Sequence, residues 1–282
     1  MKKFCGILTA VLTLLSLSGC MLLRTQCNAS DWQLVWHDEF EKDGKPNPDN
    51  WDYERGFVRN QELQWYQPDN AVCRGGMLVI EARREHKRNP DYRQGSDDWR
   101  NREWIDYTSA CLISKKKHEF TYGKFEMRAR IDTRLGSWPA FWTLGASYGH
   151  HIPWPECGEV DIMEYYTDKV LANVFYSKAF RKEQMVVSRP LAELGGDAWS
   201  KEFHVWSMGW DERRIDLFID GKPVLHFDVD QATDGGEYNA FRGPHYMLIN
   251  QAIGANGGDP SKTEFPIHLE VDWVRVYRAK RN

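Results

Sequence analysis

The chain has 282 residues, with 41 acidic side chains against 37 basic ones and a formal charge of −4. A mildly acidic balance without a basic block excludes the electrostatic footprint of a nucleic-acid binder. The 13 Trp, 12 Tyr and 13 Phe mark one large core, and indole faces also suit the C–H face of a pyranose.

Met1-Lys2-Lys3 is a short positive region followed by a mostly apolar run over residues 4–16. The run is too short to span a bilayer and reads as an export signal. Leu17-Ser18-Gly19-Cys20 resembles a bacterial lipobox, which makes residues 1–19 a lipoprotein signal peptide and Cys20 the lipidation site. Acyl chains there would tie the protein to a membrane without crossing it. Met21 after Cys20 resembles outer-membrane sorting, with the facing side unspecified. Cleavage removes Lys2 and Lys3 and no acid, so the formal charge moves from −4 to −6. Residues 20–31 read as a tether, and residues 32–282 as one domain. Cys27, Cys73, Cys111 and Cys157 remain for three disulfide connectivities. Cys73 and Cys111, both in predicted strands, are candidate neighbours. Cys157 reads as a small buried thiol.

From residue 32 onward strand follows strand. Residues 77–82, 123–131, 170–176, 203–210 and 213–219 alternate and are rich in β-branched or aromatic side chains. Asp220-Gly221 is a hairpin signal between residues 214–219 and 222–227. No long capped helix and no repeat is present. Many short strands with Gly/Pro-rich turns predict an all-β sandwich or jelly roll.

Residues 84–106 are polar and turn-rich and predict a long loop, with Trp99 either reaching a cleft or pinning the loop to the body. In residues 137–142, Trp138 and Trp142 share a strand face around Ala140, a two-ring floor for successive sugars. Trp154, in the loop before the next strand, is a further candidate for a cleft wall. The adjacent His150 and His151 read as surface residues.

The chemistry concentrates in Gly158-Glu159-Val160-Asp161-Ile162-Met163-Glu164-Tyr165. Alternation puts Glu159 and Asp161 on one face of a strand. Strict alternation would then bury Glu164, which is expensive, so an extra residue, a β-bulge, is expected near Ile162-Met163. With it, the α-carbons of residues 159 and 164 lie about 13 Å apart. Their carboxyls can lean in to about 5–5.5 Å, the separation that a retaining glycosidase needs. Mutual repulsion should raise one pKa, expected to be that of Glu164. Competing readings are a solvated acidic strand and a calcium site. No residue spacing matches a zinc site.

Glu-Val-Asp-Ile-Met-Glu resembles the bulged active-site signature of glycoside hydrolase family 16, laminarinase- and lichenase-like. Residues 32–40, Asn60-Gln61-Glu62-Leu63-Gln64-Trp65-Tyr66, residues 122–126, 137–142, 257–260 and 271–277 are similar to the family's other stretches in order. The resemblance implies a concanavalin-like jelly-roll sandwich with a concave glycan cleft. It implies Glu159 as nucleophile, Glu164 as acid/base and Asp161 as assisting residue. Substrate contacts are implied at Trp138, Trp142, Trp154, Asn60 and Glu62. Gln251 is expected either to bond a sugar or to sit at an edge. Glu39, the Gly76 backbone and Asp272 resemble the ligands of a structural Ca2+, while catalysis itself requires no cofactor. Laminarinase-like members bring a His on the return strand, where this chain has Asn173 and Phe175.

The implied activity is endo-acting, retaining hydrolysis of β-1,3- or mixed-linkage β-1,3/1,4-glucan by a monomer. Rivals are hydrolysis of a β-linked, sulfated galactan such as agar or porphyran, transglycosylation, and a non-catalytic glycan-binding lipoprotein. A sulfated substrate would call on cationic side chains such as Arg55, Arg59 and Arg134.

Overall fold

The computed structural model describes residues 31–150, 152–233 and 238–280. The expected signal segment and Cys20 and Cys27 lie outside these residues. In chain order the strands are β1 (Trp32–Asp38), β2 (Asp52–Tyr53), β3 (Gln64–Tyr66), β4 (Ala71–Arg74), β5 (Met77–Arg88), β6 (Trp104–Ser109), β7 (Cys111–Ile113), β8 (Glu119–Phe120) and β9 (Gly123–Ile131). They continue with β10 (Ser137–Gly145), β11 (Glu159–Tyr166), β12 (Lys169–Lys178), β13 (Arg181–Pro190), β14 (His204–Trp210), β15 (Arg214–Ile219), β16 (Lys222–Asp228), β17 (His245–Ile253) and β18 (Ile267–Ala279). Two short helices, α1 (Leu191–Leu194) and α2 (Gly196–Ser200), join β13 to β14.

The strands form two sheets. One runs β16-β15-β14-β9-β18-β5-β6-β3, with β1 on β18 and β4 on β5; the other runs β13-β12-β11-β10-β17-β7-β2, with β8 on β17. Between them lies the main core, to which the first sheet sends Phe125, Met127, Leu217, Phe227 and Val276, and the second Phe141, Val160, Val174 and Ile249. Burying each such side chain contributes about 1.5–3 kcal/mol, which is why alternating strands stack as a sandwich. A second apolar cluster, Tyr66, Ala140, Trp142, Leu144 and Leu248 with Val58, covers part of the outer face of the second sheet. The segment carrying Val58 and Tyr66 therefore folds over that face.

Asp220 and Gly221 both have positive φ (50° and 71°), the two-residue turn that their sequence predicts between β15 and β16. The long loop is shorter than expected. β5 continues to Arg88 and β6 begins at Trp104, so only residues 89–103 connect them. The charged alternation of residues 84–88 suits a ribbon solvated on both faces. Arg88 pairs with Glu103, and His86 with Asp106, across it. Cys73 and Cys111 are not neighbours: Cys73 lies in the main core between the sheets and Cys111 in the second cluster, on the outer face. Cys73, Cys111 and Cys157 are all buried free thiols.

The expected bulge is present. Against β10, Phe141 faces Met163 and Trp142 faces Asp161, leaving Ile162 as the extra residue. Ile162 and Met163 both enter the core, while Glu164 returns to the face opposite Ala140. Deleting Ile162 is expected to abolish polysaccharide turnover by driving Glu164 inward. Ile162→Val, which keeps the residue count, should cost about 1 kcal/mol and retain activity; equilibrium denaturation and turnover assays read the two effects.

Candidate active site

β11 presents Glu159, Asp161 and Glu164 on the outer face of the second sheet, opposite Leu144, Trp142 and Ala140 of β10. On the other side β12 places Phe175, Asn173 and Leu171 against the same three residues. Gly158 leads into the strand with φ 76°, and a Cβ there would lie 2.7 Å from the Ala240 side chain. The strand can begin in this orientation only because that position lacks a side chain.

Donors from the neighbouring strands serve the carboxylates. Trp138 Nε1 donates to Glu164 Oε1 at 2.7 Å. Asn173 Nδ2 donates to Glu164 Oε2 at 2.7 Å and to Asp161 Oδ2 at 2.8 Å, so one amide spans two carboxylates. The Trp154 indole and the positive charges of Arg59 and Lys182 act on Glu159 in favour of its ionised form.

Burial, then the charge of Glu164, pushes Glu159 up from 4.5 to about 7. Burial followed by Glu159 and Glu164 raises Asp161, and burial raises Glu164 against the donors Trp138 and Asn173. The sequence pointed to Glu164 alone; here all three rise, because desolvation acts on the whole trio. They titrate as one coupled set that retains a proton near neutrality.

A second polar network flanks the trio. Glu62 is buried and accepts from Asn60 Nδ2 at 3.2 Å, Gln64 Nε2 at 2.6 Å and Tyr66 OH at 3.4 Å. Asn250 Nδ2 donates to Tyr66 OH at 3.1 Å, and Trp142 Nε1 donates to Asn250 Oδ1 at 2.7 Å. The Arg59 guanidinium lies 5.1 Å from the centre of the Trp142 ring and is paired to Glu54.

The sequence-predicted residues divide accordingly. Trp138 and Trp142 share the face as expected, but each is only 7% exposed and their indole N–H groups are committed to Glu164 and Asn250. Trp154 is 39% exposed beside Glu159. Gln251 is a correction: it lies on the opposite face of β17, fully buried, and donates to Ser137 Oγ at 3.0 Å. Its neighbour Asn250 takes the site face. Trp99 packs on Phe57 (5.8 Å between centroids) and under Arg102, so it pins its loop to the segment before β3.

Asn173 and Asn250 are the additions. Counting outward from the Thr167-Asp168 turn and across the bulge would have put Asn173 opposite Asp161.

The proposed calcium ligands are otherwise engaged. Arg275 holds both Glu39 oxygens at 2.8 Å, and Arg128 pairs with Asp272. Among the described residues no group of three or more His, Cys, Asp or Glu side chains is arranged to hold a metal ion. These carboxylates therefore do not fit a shared cation cage.

The profile of Glycosyl hydrolases family 16 matches residues 60–275. The chain belongs to that family. It is 34% identical to a β-glucanase of Rhodothermus marinus over 93% of this chain and 91% of that protein. It superposes on the laminarinase catalytic domain of Thermotoga maritima with a TM-score of 0.74 and 34% identity, over 89% of this chain and all of that one (100%). A structure from work on endo-acting O-glycanases, which prominent human gut bacteria express to initiate mucin breakdown, gives a TM-score of 0.80 at 30% identity, covering 89% and 92%. The family assignment and the jelly-roll sandwich that the sequence implied are thus established.

Two outcomes follow from the electrostatics. The folded pKa of Glu159 lies above its ordinary 4.5, so its ionisation destabilises the native state, a penalty absent below pH 4.5 and complete above pH 7. Glu159→Gln should stabilise the fold by about 1–3 kcal/mol at pH 8 and not measurably at pH 4, read by chemical denaturation. Asn173→Ala removes a donor to ionised Glu164, so the basic limb of the kcat profile should move up by about one pH unit.

Proposed function

We propose that this family 16 protein hydrolyses internal β-1,3 or mixed-linkage β-1,3/1,4 bonds of glucans with retention of configuration. The observation that carries the reading is the bulged register of β11, which sets three carboxylates on one face among donors from β10 and β12.

Glu159 is the nucleophile. Its carboxylate attacks the anomeric carbon as the glycosidic C–O bond breaks, and Glu164 gives its proton to the leaving oxygen. A covalent glycosyl ester on Glu159 results. Glu164, now ionised, takes a proton from water, whose oxygen displaces Glu159 and restores both groups. Asp161, tied to Glu164 through Asn173, assists by holding the geometry of the trio. Trp138 fixes the acid. Trp142, Trp154, Asn60 and Glu62 form the glycan-facing surroundings. Two carboxylates supply both nucleophile and acid, so the chemistry calls for no cofactor.

The glucan assignment is supported by similarity to the β-glucanase and the laminarinase. It is also supported by two of the three arginines that a sulfated chain would call on, the exposed Arg55 being the exception. Arg59 is paired with Glu54, and Arg134 is bonded to Asp132 and to the carbonyls of Glu264 and Pro266. A second reading, a β-linked glycan other than glucan, is supported by the likeness to the endo-acting O-glycanase structure and by Asn173 and Phe175 on β12, where laminarinase-like members bring a His. The Leu17-Ser18-Gly19-Cys20 pattern supports export and a lipid anchor at Cys20, with the protein working as a monomer at an outer membrane.

Incubation with a β-1,3-glucan, a mixed-linkage β-glucan and a β-linked galactan discriminates these readings. Short oligosaccharides from the glucans are expected; oligosaccharides from the galactan alone would replace glucan with galactan. Glu159→Gln should lower turnover by more than about a thousandfold while polysaccharide binding persists. Retained activity in that variant would remove Glu159 from the nucleophile's role.

A further inference from the structure

The aromatic pair beside Glu159 carries a cation that the mechanism above does not use. Trp154 precedes β11 and packs against Phe175 of β12, with centroids 5.8 Å apart. Phe175 is the residue that faces Glu159 across the strand pair. Lys182 of β13 stands opposite Ser177, and its Nζ lies 4.1 Å from the centre of the Trp154 ring and 5.5 Å from that of Phe175. Among the described residues no carboxylate lies within ion-pair range of Lys182. An ammonium over an indole is attracted to the ring, and the contact gives a partly exposed indole a fixed place. That indole packs on the residue paired with the nucleophile and favours the nucleophile's ionised form.

We propose that Lys182 is a positioning residue for the nucleophile: stacked on Trp154 and Phe175, it holds the indole against Glu159 and keeps a positive charge on that side of the carboxylate. This rests on Glu159 being the nucleophile. The other groups facing Glu159 make the role specific. Glu164 and Asp161 from its own strand are like charges that oppose ionisation. Arg59 favours it, but Glu54 already neutralises that guanidinium. The Cys157 thiol, pushed up to about 12 by burial, is neutral. Lys182 is thus the cation on this carboxylate that no acidic side chain holds. Its charge lowers the Glu159 pKa against the burial and repulsion that raise it.

The sign of the effect is fixed. Removing a positive charge disfavours ionised Glu159, so the acid limb of the kcat/KM profile should move to higher pH. Lys182→Met is expected to shift that limb up by about half to one pH unit, a three- to tenfold loss of kcat/KM on the low-pH side. Lys182→Arg should restore the limb, because guanidinium keeps both the charge and the stacking. Trp154→Phe keeps a ring but deletes the donor; it should shift the limb in the same direction, and Lys182→Met added to it should shift the limb further by less than it does alone.

A Lys182→Met profile that superimposes on the parent's would overturn the proposal. So would a loss that appears only as a pH-independent rise in KM, which is the mark of a sugar contact. Glu159→Gln run alongside separates the two levels. If it is inactive while Lys182→Met is silent, only the role of Lys182 fails. If it is active, the assignment of the nucleophile fails with it.

Discussion

A single additional residue in β11 decides what this protein can do. A strand's side chains alternate with a period of two, so Glu159 and Glu164, five positions apart, belong to opposite faces of a regular strand. Ile162 breaks that parity. With Ile162 and Met163 both turned into the sandwich, Glu164 comes out beside Asp161 and faces Ala140. The alternative register would bury an ionisable group among Phe141, Val160 and Val174 and leave the acid out of reach of the nucleophile. The hydrophobic core and the carboxylate pair thus demand the same bulge, and each penalises its loss.

Placing three carboxylates together creates an electrostatic problem that the neighbouring strands answer. β10 contributes the Trp138 N–H and β12 the Asn173 amide, while the Trp154 indole of the segment before β11 acts on Glu159. Each donor favours an ionised oxygen, while burial and mutual repulsion favour a proton. The balance leaves the trio partly protonated near neutrality, the condition under which one carboxyl can give a proton while its neighbour attacks. The Glu62-Tyr66-Asn250-Trp142 chain fixes the adjoining wall in the same manner, with one buried carboxylate sharing out its lone pairs among three donors. Trp138 and Trp142 are therefore structural members of the site as well as part of its floor.

Much of this was legible in the sequence. The strand pattern, the Asp220-Gly221 turn, the bulge and the shared face of Trp138 and Trp142 follow from periodicity and from the cost of burying a charge. What escaped it depends on long-range register. Gln251 reads as a polar residue in an apolar strand, and only its pairing with Pro139 on β10 shows that it faces the interior, while Asn250 faces the site. Residues 84–88 read as loop because a ribbon solvated on both faces has no apolar alternation to betray it. Cys73 and Cys111 both lie in strands, but the cluster each thiol joins is a property of the whole topology. The rise of all three pKa values escaped for a related reason: local charge spacing is written in the sequence, whereas desolvation is set by residues distant along the chain.

The central claim is that the bulge makes Glu159 the group that bonds to sugar. A β-glucan oligosaccharide with fluorine at C2 of the sugar at the cleavage point and a good leaving group slows release of the covalent intermediate, so that the labelled residue can be located by peptide mass spectrometry. The account predicts one glycosyl unit per protein, carried on Glu159. Label on Glu164 or Asp161, or a first-formed product of inverted configuration with no label, would contradict it.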